Sequence, residues 1–170
     1  MERMKGLIFS AVIGLLSVSS ASAGDRYVRF GEGYLVDLSD NLSGKRLTVG
    51  NSSGINVAVG QYVYRELAVQ GEYADYSNGL SVGLFTFHLD LNDAPDKSFD
   101  PFMSIGAGSM NHRSFGTGGA VKSSAGLNYS FQPFFSPKLT LGFESSLVRG
   151  IGAVHSVLYI SNSLMFAVNF

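Results

Sequence analysis

The final segment of the chain reads Leu158-Tyr-Ile-Ser-Asn-Ser-Leu-Met-Phe-Ala-Val-Asn-Phe170. Leu158, Ile160, Leu164, Phe166, Val168 and Phe170 fall on one side of an extended backbone, while Ser161, Ser163 and Asn169 fall on the other with Tyr159, Met165 and Ala167. Successive side chains of a strand point to opposite faces, so this two-residue period marks a strand with one apolar face. Asn162 alone interrupts that face.

The same period recurs upstream. Ile55, Val57 and Val59 alternate with small or polar residues, as do Leu67, Val69 and Tyr73. So do Met103, Ile105 and Ala107, then Val121, Ala125, Leu127, Tyr129 and Phe131, then Leu139, Leu141 and Phe143. Two segments are less regular. Residues 26–38 place Glu32 among Val28, Phe30, Tyr34 and Val36, and residues 79–90 change phase between Leu84 and Phe85, which predicts a bulge. Eight strands result, with no stretch of helical period. All four prolines are expected in two connections, Pro95 and Pro101 in one, Pro133 and Pro137 in the other, because proline donates no ladder hydrogen bond.

The chain of 170 residues suits one domain and has no Cys, no Trp, 21 Gly, 13 Phe and 8 Tyr, with 15% charged residues and a net charge of −1. Low charge with positive mean hydropathy excludes disorder. The absence of Cys excludes a disulfide scaffold, and the lack of a basic tract speaks against nucleic acid as a partner. Residues 1–23 carry Arg3 and Lys5, an apolar run from Gly6 to Val18, and Ala21-Ser22-Ala23. That pattern predicts a secretory signal peptide over 1–23 and a mature domain over 24–170.

Opposite the apolar faces stand mostly Gly, Ala, Ser, Asn and Gln, with isolated charges such as Glu72, Lys122 and Glu144. A soluble sheet would carry a charged outer face. Small polar residues instead suit the interior of a narrow barrel whose apolar face meets lipid. The predicted fold is all-β, an eight-stranded antiparallel up-and-down transmembrane β-barrel, with a soluble ligand-binding barrel as the rival. Tyr62, Tyr64, Tyr73, Tyr76, Tyr129, Phe131 and Phe170 are expected in aromatic girdles. Both ends of an even barrel lie on one side. Residues 64–66, 91–100 and 132–137 are then periplasmic turns, and 39–53, 75–79, 111–119 and 149–153 extracellular loops.

The chain resembles the small outer-membrane β-barrels of Gram-negative bacteria, the OmpA-like, OmpX-like, NspA-like and opacity-type group. Three stretches carry the resemblance: Gly60-Gln-Tyr-Val-Tyr-Arg-Glu-Leu-Ala-Val-Gln-Gly-Glu-Tyr73, Asp100-Pro-Phe-Met-Ser-Ile-Gly-Ala-Gly108, and Ser163 to Phe170. The resemblance implies location in the outer membrane, contact with its lipid and lipopolysaccharide, and assembly by the barrel-assembly machinery through the strand ending at Phe170. The group includes structural proteins, adhesins and a few enzymes; for this chain no catalytic residue and no cofactor are assigned, and a monomeric or weakly associated barrel is expected. One departure is Met165, where the assembly signal usually has Gly.

Two residue sets are candidate sites. Glu72, Lys122, Glu144 and Arg29 are expected as a charge network in the lumen, because an ionised group in a narrow interior must be paired. Such a network is either a static neutralising cluster or the gate of a narrow channel. Lys45, Arg46, Arg113 and Arg149, with His112, are expected on loops where they could meet lipopolysaccharide phosphates. A deacylase-like reading needs a His and a Ser two apart on one strand face. His112-Arg113-Ser114 has that spacing but lies in an expected loop, and His155-Ser156 are adjacent. The expected role is therefore envelope-structural or surface contact, without enzymatic activity. Lipid A modification and a narrow gated channel are the alternatives. Three scattered His and no Cys suggest no metal site.

Overall fold

The computed structural model describes residues 26–39, 49–91, 98–131 and 138–170. The predicted signal peptide lies outside the described residues. Eight strands follow one another: β1 (Arg26–Asp37), β2 (Ser52–Tyr62), β3 (Leu67–Tyr76), β4 (Leu80–Asp90), β5 (Phe99–His112), β6 (Gly116–Phe131), β7 (Lys138–Ile151) and β8 (Leu158–Asn169). A short 3₁₀ turn, Gly152–Val154, separates the last two.

Each strand pairs with the next, and β8 pairs antiparallel with β1, so the sheet closes into a barrel. Closure satisfies every strand edge, which is what lets strands cross lipid. The closing seam continues to the last residue: Arg26 and Phe170 exchange backbone hydrogen bonds of 3.0 and 2.8 Å. Cα partners followed once around the barrel run from Arg26 through Gln61, Val69, Phe87, Ile105, Ser123, Leu147 and Ile160, and return to β1 at Val36, ten residues on. A stagger of that size tilts the strands by roughly 35–45° and leaves an interior that side chains fill.

The outward face is apolar. Phe30, Ile55, Phe85, Phe87, Ile105, Leu127, Phe143 and Leu164 are all exposed on it. Tyr64, Phe99, Tyr129, Phe131 and Phe170 ring the end where β1 begins and β8 finishes, here the terminal end, as an aromatic girdle requires. Tyr62 and Tyr76 do not join it. Both face the lumen, Tyr76 buried and donating to Ser161 Oγ at 2.8 Å, Tyr62 donating to Asp90 at 2.6 Å. Strict alternation puts Tyr76 in phase with Glu72 and Ala74, and a phenol in that phase must find a partner inside.

Four further expectations are corrected. There is no bulge in β4: its residues pair in unbroken register with β3 and β5, and burial alternates along the whole strand. The phase change at Leu84 and Phe85 has another cause, because both faces exchange polarity there. Inward residues go from Leu80, Val82 and Leu84 to Thr86, His88 and Asp90, while outward ones go from Ser81 and Gly83 to Phe85, Phe87 and Leu89. Pro101 lies within β5 rather than in a connection. Its carbonyl accepts from Leu91 N–H at 2.8 Å on the β4 side, where β4 has ended, so its missing N–H faces no ladder partner. The strands also run further than expected at the end opposite the start of β1, here the distal end. The β5–β6 turn is only 113–115, and 149–151 belong to β7. The Gly116-Thr-Gly-Gly-Ala120 run shows no apolar alternation, because that outer face rises past the apolar belt.

Candidate functional site

The lumen divides into two layers. Toward the distal end, Leu35, Tyr76, Leu80, Val82, Leu84, Met110, Val148, Val154, Val157 and Tyr159 pack into one buried apolar cluster. Val154 belongs to the 3₁₀ turn and Val157 follows it, so this connection folds inward and roofs the barrel. Below that cap the lumen is polar. Lys122 on β6 stands between Glu72 on β3 and Glu144 on β7, with its ammonium 2.5 Å from each carboxylate. Glu72 also accepts from Gln70 Nε2 at 2.5 Å and Thr86 Oγ1 at 2.7 Å. The three strands deliver these side chains because residues 72, 122 and 144 share the inward phase. Desolvating three charges costs several kcal/mol per ion, which pairing and added hydrogen bonds offset.

Three members of the expected network thus meet. Arg29, the fourth, enters the same lumen and is buried, but it makes no ion pair with them. Its Nη2 donates to Asn128 Oδ1 at 2.7 Å, and its guanidinium lies 4.9 Å from the centre of the Phe102 ring. An amide oxygen and an aromatic face accommodate this cation. A second cluster, missed from sequence, lies nearer the terminal end. His88 Nε2 stands 2.9 Å from Asp90 Oδ1, Tyr62 donates to the other Asp90 oxygen, and Tyr27 donates to Gln70 at 2.5 Å. His88 packs on Phe102 with centroids 4.5 Å apart. Unbroken alternation through β4 would have placed His88 and Asp90 inward; the assumed bulge hid them.

Between cap and cluster is a cavity of about 40 Å³ lined by Arg29, Glu72, Lys122, Ser146, Val148 and Ser161. That is room for a few water molecules.

The rim residues separate. Lys45 and Arg46 lie outside the described residues. Arg113 is exposed on the β5–β6 turn, as expected. Arg149 is not on a loop: it projects outward from β7, exposed, two residues beyond Leu147 on the same face. His112 is a turn anchor. Its Nδ1 accepts the Ser114 backbone N–H at 3.1 Å, and its ring stacks on Phe115 with centroids 4.3 Å apart. Ser114 sits in the turn and so does not share a strand face with it. His155 is likewise engaged, with Nδ1 2.9 Å from the Gly152 carbonyl.

With this geometry in view, solved structures give clear matches. The chain superposes on Neisserial surface protein A with a TM-score of 0.58 at 14% identity, covering 89% of this chain and 100% of that one. The fold is that of the small eight-stranded outer-membrane barrels. A second match is the N-terminal β-barrel domain of OprF from Pseudomonas aeruginosa, with a TM-score of 0.57, 14% identity, and coverage of 86% and 99%. A third is a de novo designed transmembrane β-barrel, with a TM-score of 0.53, 15% identity, and coverage of 88% and 100%. No protein-family model and no curated protein sequence matches the chain. A designed barrel matching alongside natural ones locates the likeness in architecture, which an outer-membrane barrel shares across many functions.

Proposed function

We propose that this chain is a non-enzymatic barrel of the bacterial outer membrane, exported by the leader at 1–23, with an envelope-structural or surface-contact role. The observation that supports this most is the closed lumen: charges neutralised internally under an apolar cap. A barrel so filled offers partners its wall and its rim rather than its interior. Near that rim, Arg149 projects from the outer face of β7 between Leu147 and Ile151, and Arg113 lies on the β5–β6 turn; phosphates of lipopolysaccharide would meet their guanidinium groups in the planar geometry that binds them best. Lys45 and Arg46 are assigned the same role from sequence. Assembly by the barrel-assembly machinery would read the β8 strand that ends in Phe170, whose backbone completes the seam.

The test is the temperature at which the folded, fast-migrating gel band is lost. Lipopolysaccharide in the vesicles should raise it for the wild type. Arg113→Ala/Arg149→Ala should lose most of that rise and keep the same value without lipopolysaccharide. An equal rise in both proteins would remove the rim reading.

A further inference from the structure

Among the polar residues of the outer wall, Glu32 in β1 and Asn162 in β8 are brought close together across the closing seam. Asn162 is the Cα partner of Tyr34, and Glu32 of Leu164, across the β1–β8 seam. The pairing path climbs ten residues over eight strands, a little more than one residue per strand. The residue of β1 level with Asn162 therefore lies just below Tyr34, and the outward one there is Glu32. Glu32 is exposed, and neither it nor Asn162 has a hydrogen-bond or ionic partner among the described residues. Apolar residues enclose the pair: Tyr34 and Ile160 on the distal side, Phe30, Leu164 and Phe166 on the terminal side. An unpartnered carboxylate within a lipid-facing belt is costly and marks a functional contact.

We infer that the Glu32–Asn162 patch is a self-association surface, occupied by the same patch of a second copy. The chemistry selects this occupant. Two copies in one membrane with the same orientation are related by a two-fold along the membrane normal. That operation preserves height and reverses order around the wall. A level row with an acceptor carboxylate on β1 and a donor amide on β8 is complementary to its own reverse. Each Asn162 amide donates to the other copy's Glu32, giving two charge-assisted hydrogen bonds within a ring of apolar contacts. Lipid cannot supply these donors at this level, and the rim arginines play no part in the contact.

The chain has no cysteine, so cross-linking can be read without background. Purified Glu32→Cys and Asn162→Cys proteins mixed in vesicles should give several-fold more disulfide dimer than either alone. The mixture should also exceed Phe85→Cys, which is exposed on the far wall in β4. Glu32→Leu, which suits a lipid-facing position and should fold, should shift wild-type dimers to monomers in detergent sedimentation. Monomeric wild type at every protein-to-detergent ratio, or equal cross-linking at Phe85→Cys, overturns the inference. Cross-links of Asn162→Cys only to a different protein in intact membranes overturn it in favour of a heterologous partner.

Discussion

Leu84 and Thr86 are neighbours on the inward face of β4, and the boundary between the apolar cap and the polar lumen passes between them. Leu84 packs with Val82, Val148 and Tyr159 above, while Thr86 donates to Glu72 below. The barrel is thus blocked by two different means: an apolar layer that excludes water and an ion cluster that fills the remaining bore.

This layering predicts the conductance. The wild type should show no resolved single-channel openings in planar bilayers, and breaking the ion cluster alone by Glu72→Gln should not change that. Leu84→Ser/Val148→Ser, which hydrates the cap, combined with Glu72→Gln should open a water path. Openings from Glu72→Gln alone would show that the charges, not the cap, form the barrier.

The ion cluster predicts an asymmetry in stability. Lys122→Met leaves Glu72 and Glu144 buried without their shared cation and should cost about 3–5 kcal/mol in unfolding free energy. Glu72→Gln/Lys122→Met/Glu144→Gln removes the three charges of the cluster and should recover most of it, since replacing a buried ion cluster by neutral residues of similar volume is often no less stable. Urea-induced unfolding in vesicles, followed by gel mobility, measures both. A triple variant no more stable than Lys122→Met would mean that the cluster contributes specific hydrogen bonding beyond its own neutralisation.

Closure predicts an intolerant glycine. A Cβ at Gly31 would collide with the Leu164 carbonyl and the Met165 backbone across the seam. Met165 itself turns inward and pairs opposite Gly31. Gly31→Val should therefore abolish formation of the heat-modifiable folded band. Gly116→Ala, at a turn end with φ of 82° and no atom within 4 Å of its Cβ position, should lower stability only by the left-handed strain of about 1 kcal/mol and still fold. Normal folding of Gly31→Val would refute the close seam.

The buried phenol predicts a modest local effect. Tyr76→Phe removes the bond to Ser161 and keeps the edge-on packing against Tyr159, whose centroid is 5.8 Å away. The loss should be about 1 kcal/mol in the same unfolding measurement, near the usual net value of one hydrogen bond. A loss of several kcal/mol would mean that Tyr76 anchors the cap as a whole.

Strand number, antiparallel order and the outward direction of the apolar face were legible in the sequence, because a two-residue period reports a strand's faces locally. The same period should have placed Tyr76, His88 and Asp90 inside. It failed in β4 because both faces changed polarity at one level, which a single strand cannot distinguish from a bulge. The layering of the lumen appears only when eight strands are aligned by a stagger of ten residues, which sets which side chains share a height. The meeting of Lys122 with Glu72 and Glu144 depends on that alignment, as does the separation of Arg29 onto Asn128. So does the nearness of Glu32 to Asn162: they lie in the first and last strands, and only closure of the sheet makes them neighbours across the seam. Local alternation determines which way a residue faces; the register of the closed barrel determines what it meets there.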